Sequence, residues 1–172
     1  MSQQTQNLMK KISLAKVVLN MGVGKSGEPI EIGKIALEQI TGKKPNERNA
    51  KKAQRDWGVR KGEPIGIAVT VRDNDATELL KRLLIVKDNQ IKEKAFDNEG
   101  NFSFGIKEHI DIPEVKYDPK IGILGLEVSI SLARPGFNIK FNKSKAKVGK
   151  NHRITKNDAI KFLTEEFGVK VV

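Results

Sequence analysis

The sequence contains no cysteine and only two histidines, His109 and His152, which stand far apart. A chain without cysteine has no disulfide framework and no thiolate metal site, and two distant histidines lack the spacing of a metal-ligand cluster. No apolar run approaches the roughly 18 residues that a membrane-spanning helix needs. These absences argue against a metalloenzyme, a disulfide-stabilised secreted module and a membrane protein, and no cofactor is expected.

Positive charge is concentrated in two stretches of the chain, and one of them contains no acidic residue. The 172 residues carry a formal net charge of +11, with a pI near 9.8. Residues 43–61, the basic loop, hold eight basic and two acidic side chains, and residues 134–156, the basic arm, hold eight basic and none acidic. The rest of the chain is slightly acidic. This distribution predicts a polyanionic partner such as a nucleic acid.

Alternating hydrophobic residues predict strands that are buried on one face. In residues 65–71 the branched residues face one way, and Gly66, Ala68 and Thr70 face the other. Residues 102–106 and 125–133 alternate similarly, and residues 16–21 read as a further buried strand. Strands of a parallel sheet tend to be apolar on both faces. We therefore predict one α+β domain over residues 1–172, with a mostly antiparallel sheet, helices packed on one face, and the extended basic loops.

Three helices are predicted from their periodicity and end signals. The first spans residues 28–41, and a proline suits its first turn. A second helix is expected to open with a capping box formed by Asp75 and Glu78, and a third with one formed by Thr155 and Asp158. On this arrangement, the uncovered sheet face is either a solvated surface or a place where a partner binds.

The stretch NMGVGKSGEP, residues 20–29, contains G-x-G-x-x-G between a strand and a helix, as in a dinucleotide-binding fingerprint. Glu28 and Pro29 oppose that reading, because they occupy the helix entrance where a pyrophosphate would bind. A P-loop also fails, since Leu19 stands where its first glycine is required. Two interpretations remain open. Either the glycines let the backbone approach a phosphate, with Lys25 adding charge, or they only form a turn.

Planar side chains lie among the cations, Trp57 in the basic loop and Phe137 and Phe141 in the basic arm. They are suited to stacking on unpaired bases, although Trp57 is equally suited to fastening the loop to the core. Charge alone does not separate RNA from DNA. A DNA-binding protein of the chromatin type is therefore an alternative, and a nucleotide-dependent enzyme is a third.

Long blocks of the sequence carry a family resemblance. They include VVLNMGVGKSGE, VRKGEPIGIAVTVR, FDNEGNFSFGIKEHIDIPEVKYDP, IGILGLEVSISLARPGF and HRITKNDAIKFLTEEFGV. In this order they resemble large-subunit ribosomal protein five, the universal L-five family that binds 5S ribosomal RNA. The basic arm is similar to the archaeal and eukaryotic branch of that family.

The resemblance implies a function as well as a fold. It implies a non-catalytic component of the cytoplasmic ribosome that helps attach 5S rRNA to large-subunit rRNA in the central protuberance. It also implies contacts with P-site tRNA, with small-subunit ribosomal protein thirteen and with other proteins of the central protuberance, and none with a membrane.

The resemblance further implies which residues contact RNA. The glycine-bearing segment near 5S rRNA comprises Asn20, Gly22, Gly24 and Lys25. A loop facing the tRNA comprises Arg48, Lys51, Lys52 and Arg55, and this chain departs from the family there, with NERN before the lysines and Trp57 in place of an expected phenylalanine. Further rRNA contacts are expected from the basic arm, at Arg134, Lys140, Lys143, Lys145 and Lys147.

Overall fold

A computed structural model describes residues 7–24, 26–115, 117–141 and 147–172 of the chain. Its strands are β1 (Ser13–Gly22), β2 (Asn46–Asn49), β3 (Pro64–Val71), β4 (Gln90–Ile91), β5 (Phe102–Ile106), β6 (Leu126–Ala133) and β7 (Lys170–Val171). Its helices are α1 (Glu28–Thr41), α2 (Asp73–Ile85) and α3 (Lys156–Phe167). Five strands form an antiparallel sheet in the order β2-β3-β1-β6-β5, and β4 pairs with β7 in parallel. The predicted α+β class is confirmed.

Strand β1 lies at the centre of the sheet and pairs on both sides. Val17 lies opposite Val71 of β3 and Ile130 of β6. Because side chains alternate along a strand, Val17 and its neighbours Leu19 and Met21 point to one face, where all three are buried. The inward residues of β3, β5 and β6 continue this face. The predicted alternation in these strands is confirmed.

Helices α1, α2 and α3 contribute their apolar stripes to one core with these inward residues. The approach of α1 to the sheet depends on Gly33, because a Cβ added there would lie 2.5 Å from Cδ1 of Ile67 on β3. Helix α2 buries Leu80 and Leu83 completely, and α3 buries Leu163. The three described helices therefore share one core with the inward face of the sheet, as predicted.

The helix ends confirm one capping prediction and correct another. Helix α1 has the predicted bounds, and α3 opens with the capping box of Thr155 and Asp158. The box predicted at Asp75 and Glu78 is wrong, because α2 already begins at Asp73. The carboxylate of Asp75 instead pairs with the ammonium of Lys43 at 2.6 Å. Among the described helices, none is long and apolar enough to cross a membrane.

His109 is a structural residue of the segment between β5 and β6. Its side chain is 1% exposed, and its Nδ1 accepts a hydrogen bond from the backbone N–H of Leu124 at 3.3 Å. The backbone N–H of His109 donates in return to the carbonyl of Leu124 at 3.0 Å. Burial lowers the pKa of the His109 imidazole below its ordinary value, since charge is poorly solvated there. The neutral ring therefore serves packing.

This burial predicts a pH dependence of stability. Unfolding exposes His109, so the unfolded chain binds a proton more readily, and the free energy of unfolding should decrease as pH falls below about 6.5. The slope from this residue approaches about 1.4 kcal/mol per pH unit. Urea titrations between pH 7.5 and 5.5 measure it. His109→Gln should flatten the dependence; an equal slope in wild type and His109→Gln would contradict the assignment.

Candidate nucleic-acid interface

The sheet face opposite the helices consists mainly of small and polar residues, and we call it the open face. Its members follow from the strand register. They are Lys16, Val18, Asn20, Gly22, Asn46, Arg48, Gly66, Ala68, Thr70, Ser103, Gly105, Glu127, Ser129 and Ser131. None of the described helices packs its apolar stripe here. The open face therefore presents mostly short side chains. Its cations are Arg48 at the β2 edge and Lys16 near the start of β1.

A glycine pair marks one end of the open face, where Gly22 lies opposite Gly66 and Gly66 lies opposite Arg48. A Cβ at Gly66 would lie 3.0 Å from the carbonyl oxygen of Met21, so close packing of the sheet explains that glycine. A Cβ at Gly22 would meet no described atom within 4 Å. The fold therefore has no steric need for glycine at position 22, and the backbone there is open to a partner beside Arg48.

The turn after β1 uses its own amides to hold the sheet. The N–H groups of Val23 and Gly24 both donate to the carbonyl of Ile65, at 3.0 and 2.9 Å. Gly24 has a φ of 75°, which favours glycine. The expectation that glycine amides here point at a phosphate therefore does not hold for Gly24. Lys25 lies outside the described residues.

The same segment is not a dinucleotide site. Its next core strand, β3, runs antiparallel to β1, whereas the dinucleotide-binding unit requires a parallel strand after the helix. Glu28 and Pro29 form the first turn of α1, so a carboxylate faces the helix entrance and one donor is missing.

The basic loop is folded into a hairpin, residues 46–63, which we call the basic hairpin. Gly62 donates to the carbonyl of Ala50 at its base, and Gln54 and Val59 exchange two bonds near its tip, at 2.8 and 3.0 Å. Trp57 stands at the tip with 79% of its surface exposed, so it does not fasten the loop to the core. The side chain is thus free to contact a partner.

The cations expected to face tRNA lie at two levels of the basic hairpin. Lys51, Lys52 and Arg55 are exposed between its base and its tip, whereas Arg48 lies in β2 beside the glycine pair. Within the described part of the chain, none of the four has a carboxylate within ion-pair distance. Arg48 therefore groups geometrically with Asn20 and Gly22. Asn20 itself donates to Glu127 across the sheet at 3.5 Å.

Two glutamates anchor the basic hairpin to the body. Glu47 of β2 pairs with Lys34 of α1 at 2.7 Å, and hydrogen bonds to Glu31 and Glu47 raise the pKa of the Lys34 ammonium. Glu63, at the hairpin base, accepts from the hydroxyl of Ser26 through one oxygen and from the N–H of Arg60 through the other, the latter at 2.9 Å. These two bonds lower the pKa of the Glu63 carboxyl.

The basic arm begins with a residue that is held by the protein itself. Only 11% of the Arg134 side chain is exposed, and its guanidinium pairs with Asp158 at 3.0 Å and donates to the carbonyl of Arg153 at 3.1 Å. Arg134 thus joins the start of the arm to the start of α3, a role that its residue type did not reveal. Its contact with rRNA stays a prediction.

The other arm residues predicted to contact RNA differ in their surroundings. Lys140 is 3.3 Å from Glu99, and its ammonium lies 5.2 Å from the ring centre of Phe137. That ring also meets His152 edge-on, so Phe137 serves internal packing. Lys147 is exposed. Lys143 and Lys145 lie outside the described residues, and so does the side chain of Phe141.

The arm and the glycine pair lie at opposite ends of β1. Ser13 pairs with Ala133, next to Arg134, whereas Gly22 ends the strand. At about 3.3 Å per residue, the strand separates these two ends by about 30 Å. The structure therefore brings Asn20, Gly22 and Arg48 together and keeps the arm apart from them. Searched over the described residues alone, the chain shows no cluster of His, Asp and Glu that could hold a metal ion.

The chain resembles known proteins over nearly its whole length. A family model described as "Ribosomal protein L5" matches residues 7–60, and a second model, described as the C-terminus of the same ribosomal family, matches residues 64–162. The large ribosomal subunit protein uL5 of Nitrosopumilus maritimus is 66% identical over 172 residues, 99% of each chain. Those of Cenarchaeum symbiosum and Sulfolobus acidocaldarius are 59% and 44% identical, covering 95% and 97% of this chain and 98% and 94% of theirs.

The glycine pair yields a prediction about stability. Gly22→Val should fold with unchanged or slightly higher stability, because the added side chain meets open space and a strand tolerates valine better than glycine. Gly66→Val, the matched control, should lower the free energy of unfolding by about 1–3 kcal/mol through crowding against Met21. Urea denaturation compares them. A large loss of stability in Gly22→Val would show that its glycine serves the fold.

Proposed function

Since this chain belongs to the ribosomal protein L5 family, we propose that it binds 5S rRNA and helps attach it to large-subunit rRNA in the central protuberance. The protein is a structural component of the large ribosomal subunit and not an enzyme. The proposal therefore concerns which RNA it contacts and through which surface.

The observation that carries the proposal is the combination of a dispensable glycine and a cation on the open face. Gly22 leaves the backbone uncovered although the fold does not require it, and Arg48 lies in the same row of the sheet. A guanidinium binds phosphate through paired hydrogen bonds, while the flat backbone beside it admits the sugar. Asn20, two residues away on the same face, offers an amide to a base or ribose. We assign these three residues to 5S rRNA.

The basic arm supplies a second RNA contact at the far end of β1. Because about 30 Å of strand separates it from the glycine pair, one short RNA helix end cannot occupy both places. Of the arm lysines expected to contact rRNA, Lys140 and Lys147 lie in the described part of the chain, and Arg134 positions the arm. Two separated contacts suit a protein that joins 5S rRNA to large-subunit rRNA. Small-subunit ribosomal protein thirteen remains a further proposed partner through the family.

The basic hairpin is the proposed tRNA contact. It carries Lys51, Lys52 and Arg55 on exposed positions and ends in an exposed indole. Lysine and arginine bind backbone phosphates without reading sequence, which suits a surface that meets every tRNA in the P site. The Trp57 indole offers a planar surface for stacking on a ribose or base.

A binding titration tests the 5S assignment. In filter binding at about 150 mM salt, where exposed charges act only within about 8 Å, the chain should prefer 5S rRNA to duplex DNA of equal length. Gly22→Val should weaken 5S binding by about tenfold, equivalent to losing one charge-assisted hydrogen bond. Gly105→Val, on the open face at its β5 edge, is the control and should retain affinity. Equal affinity for RNA and DNA would instead favour a general DNA-binding protein of the chromatin type.

The hairpin assignment makes a separate prediction. Replacing Lys51, Lys52 and Arg55 with alanine should leave 5S affinity within about threefold of wild type, because these residues lie beyond the base of the hairpin. Ribosomes that carry the variant should release P-site tRNA faster. A triple variant of Lys92, Lys94 and Lys170 loses the same charge on the exposed β4–β7 side and should release tRNA normally. Loss of 5S affinity in the hairpin variant alone would assign the hairpin to 5S rRNA.

A further inference from the structure

Glu63 joins the two surfaces that the proposed function assigns to different RNAs. One carboxylate oxygen accepts from Ser26, three residues before Pro29 of α1, and the other from the N–H of Arg60 in the second half of the basic hairpin. The carbonyl of Ile65, two residues further on, accepts from both Val23 and Gly24. We call residues 20–26 the glycine segment. Side-chain and backbone hydrogen bonds therefore link this segment to the base of the basic hairpin at one place.

Beyond this place the hairpin has little support from the body. Residues 51–58 are all exposed, whereas Ala50 is buried. The bonds from Ala50 to Glu63 and from Gly62 to Ala50, at 2.8 and 2.9 Å, close the base of the hairpin. The angle at which the hairpin leaves the body is accordingly decided near Ala50 and Glu63, and Glu63 is the residue there whose side chain reaches the glycine segment.

We propose that Glu63 is a positioning residue that sets the angle of the basic hairpin according to the state of the glycine segment. RNA bound at Gly22 restrains the segment that ends in Ser26, and the Ser26–Glu63–Arg60 bridge passes that restraint to the hairpin. This second step rests on the proposed 5S contact. Because coupling between two binding sites is reciprocal, a partner that holds the hairpin also strengthens RNA binding at the glycine segment.

The chemistry of the bridge explains why a glutamate is required. Two donors, a hydroxyl and a backbone N–H, converge on one side chain, and only a carboxylate offers an acceptor oxygen to each. A glutamine of the same size has one acceptor oxygen for Arg60 and meets Ser26 only by donating from its NH2 to the hydroxyl, so both bonds become neutral and weaker. Glu63→Gln therefore weakens the bridge with little change in shape. Ser26→Ala breaks it from the other side.

Trp57 makes the bridge measurable, because it is the sole tryptophan of the chain and stands at the hairpin tip. In the free protein, time-resolved anisotropy of Trp57 should show a fast local component whose population rises about two- to fivefold in Glu63→Gln and in Ser26→Ala, the change expected for an exposed contact. Glu38→Gln, an exposed glutamate of α1, should match wild type. The thermal midpoint should stay the same in all variants.

Adding 5S rRNA then tests the coupling. The RNA should reduce the fast component of wild-type Trp57 and reduce it less in Glu63→Gln, although both proteins bind the RNA with similar affinity by filter binding. Unchanged anisotropy in both bridge variants of the free protein overturns the positioning role. An equal reduction by RNA in wild type and Glu63→Gln overturns the coupling. Absence of 5S binding by wild type would instead refute the proposed function, while the free-protein measurement still decides the role of Glu63.

Discussion

The central constraint of this structure is that β1 is buried on one face only. Its inward residues, Val17, Leu19 and Met21, hold the helices to the sheet. Its outward residues alternate with them in sequence and are mostly small or polar. Because the described helices share the core on one face, the other face is left open, with the basic hairpin at its β2 edge and the basic arm at the end of β6. Packing on one side thus leaves the proposed RNA-contact surface free on the other.

Much of this fold could be predicted, because long strands and helices carry their pattern in sequence. Alternation marked β3, β5 and β6, and the Thr155–Asp158 box marked α3. Strand β2 was missed since its polar residues pair only because β3 offers them an edge. The pairing of Arg134 with Asp158, and of Asp75 with Lys43, depends on tertiary distance. Likewise, only the structure shows that Gly66 is required sterically and Gly22 is not.

The few acidic residues near the cations serve a purpose distinct from RNA binding. Glu47 pairs with Lys34, Glu63 bridges Ser26 and Arg60, and Asp158 holds Arg134. Each carboxylate orients a basic element from its root, where an anion from RNA does not need to approach. The charges are thereby divided between those that hold the scaffold and those left for the partner. Positive charge alone would attract RNA without presenting the cations in a defined arrangement.

The position of β1 in the chain also governs when the sheet can form. During synthesis β1 emerges first, but its partner β3 follows about fifty residues later, and Ser13 pairs with Ala133, 120 positions downstream. Such distant pairing slows folding and leaves strand edges uncovered while the ribosome is still translating. A nascent chain with this order and a strong positive charge would attract RNA before it is folded. Early binding to the correct RNA would shorten the time during which these strand edges and cations stay exposed.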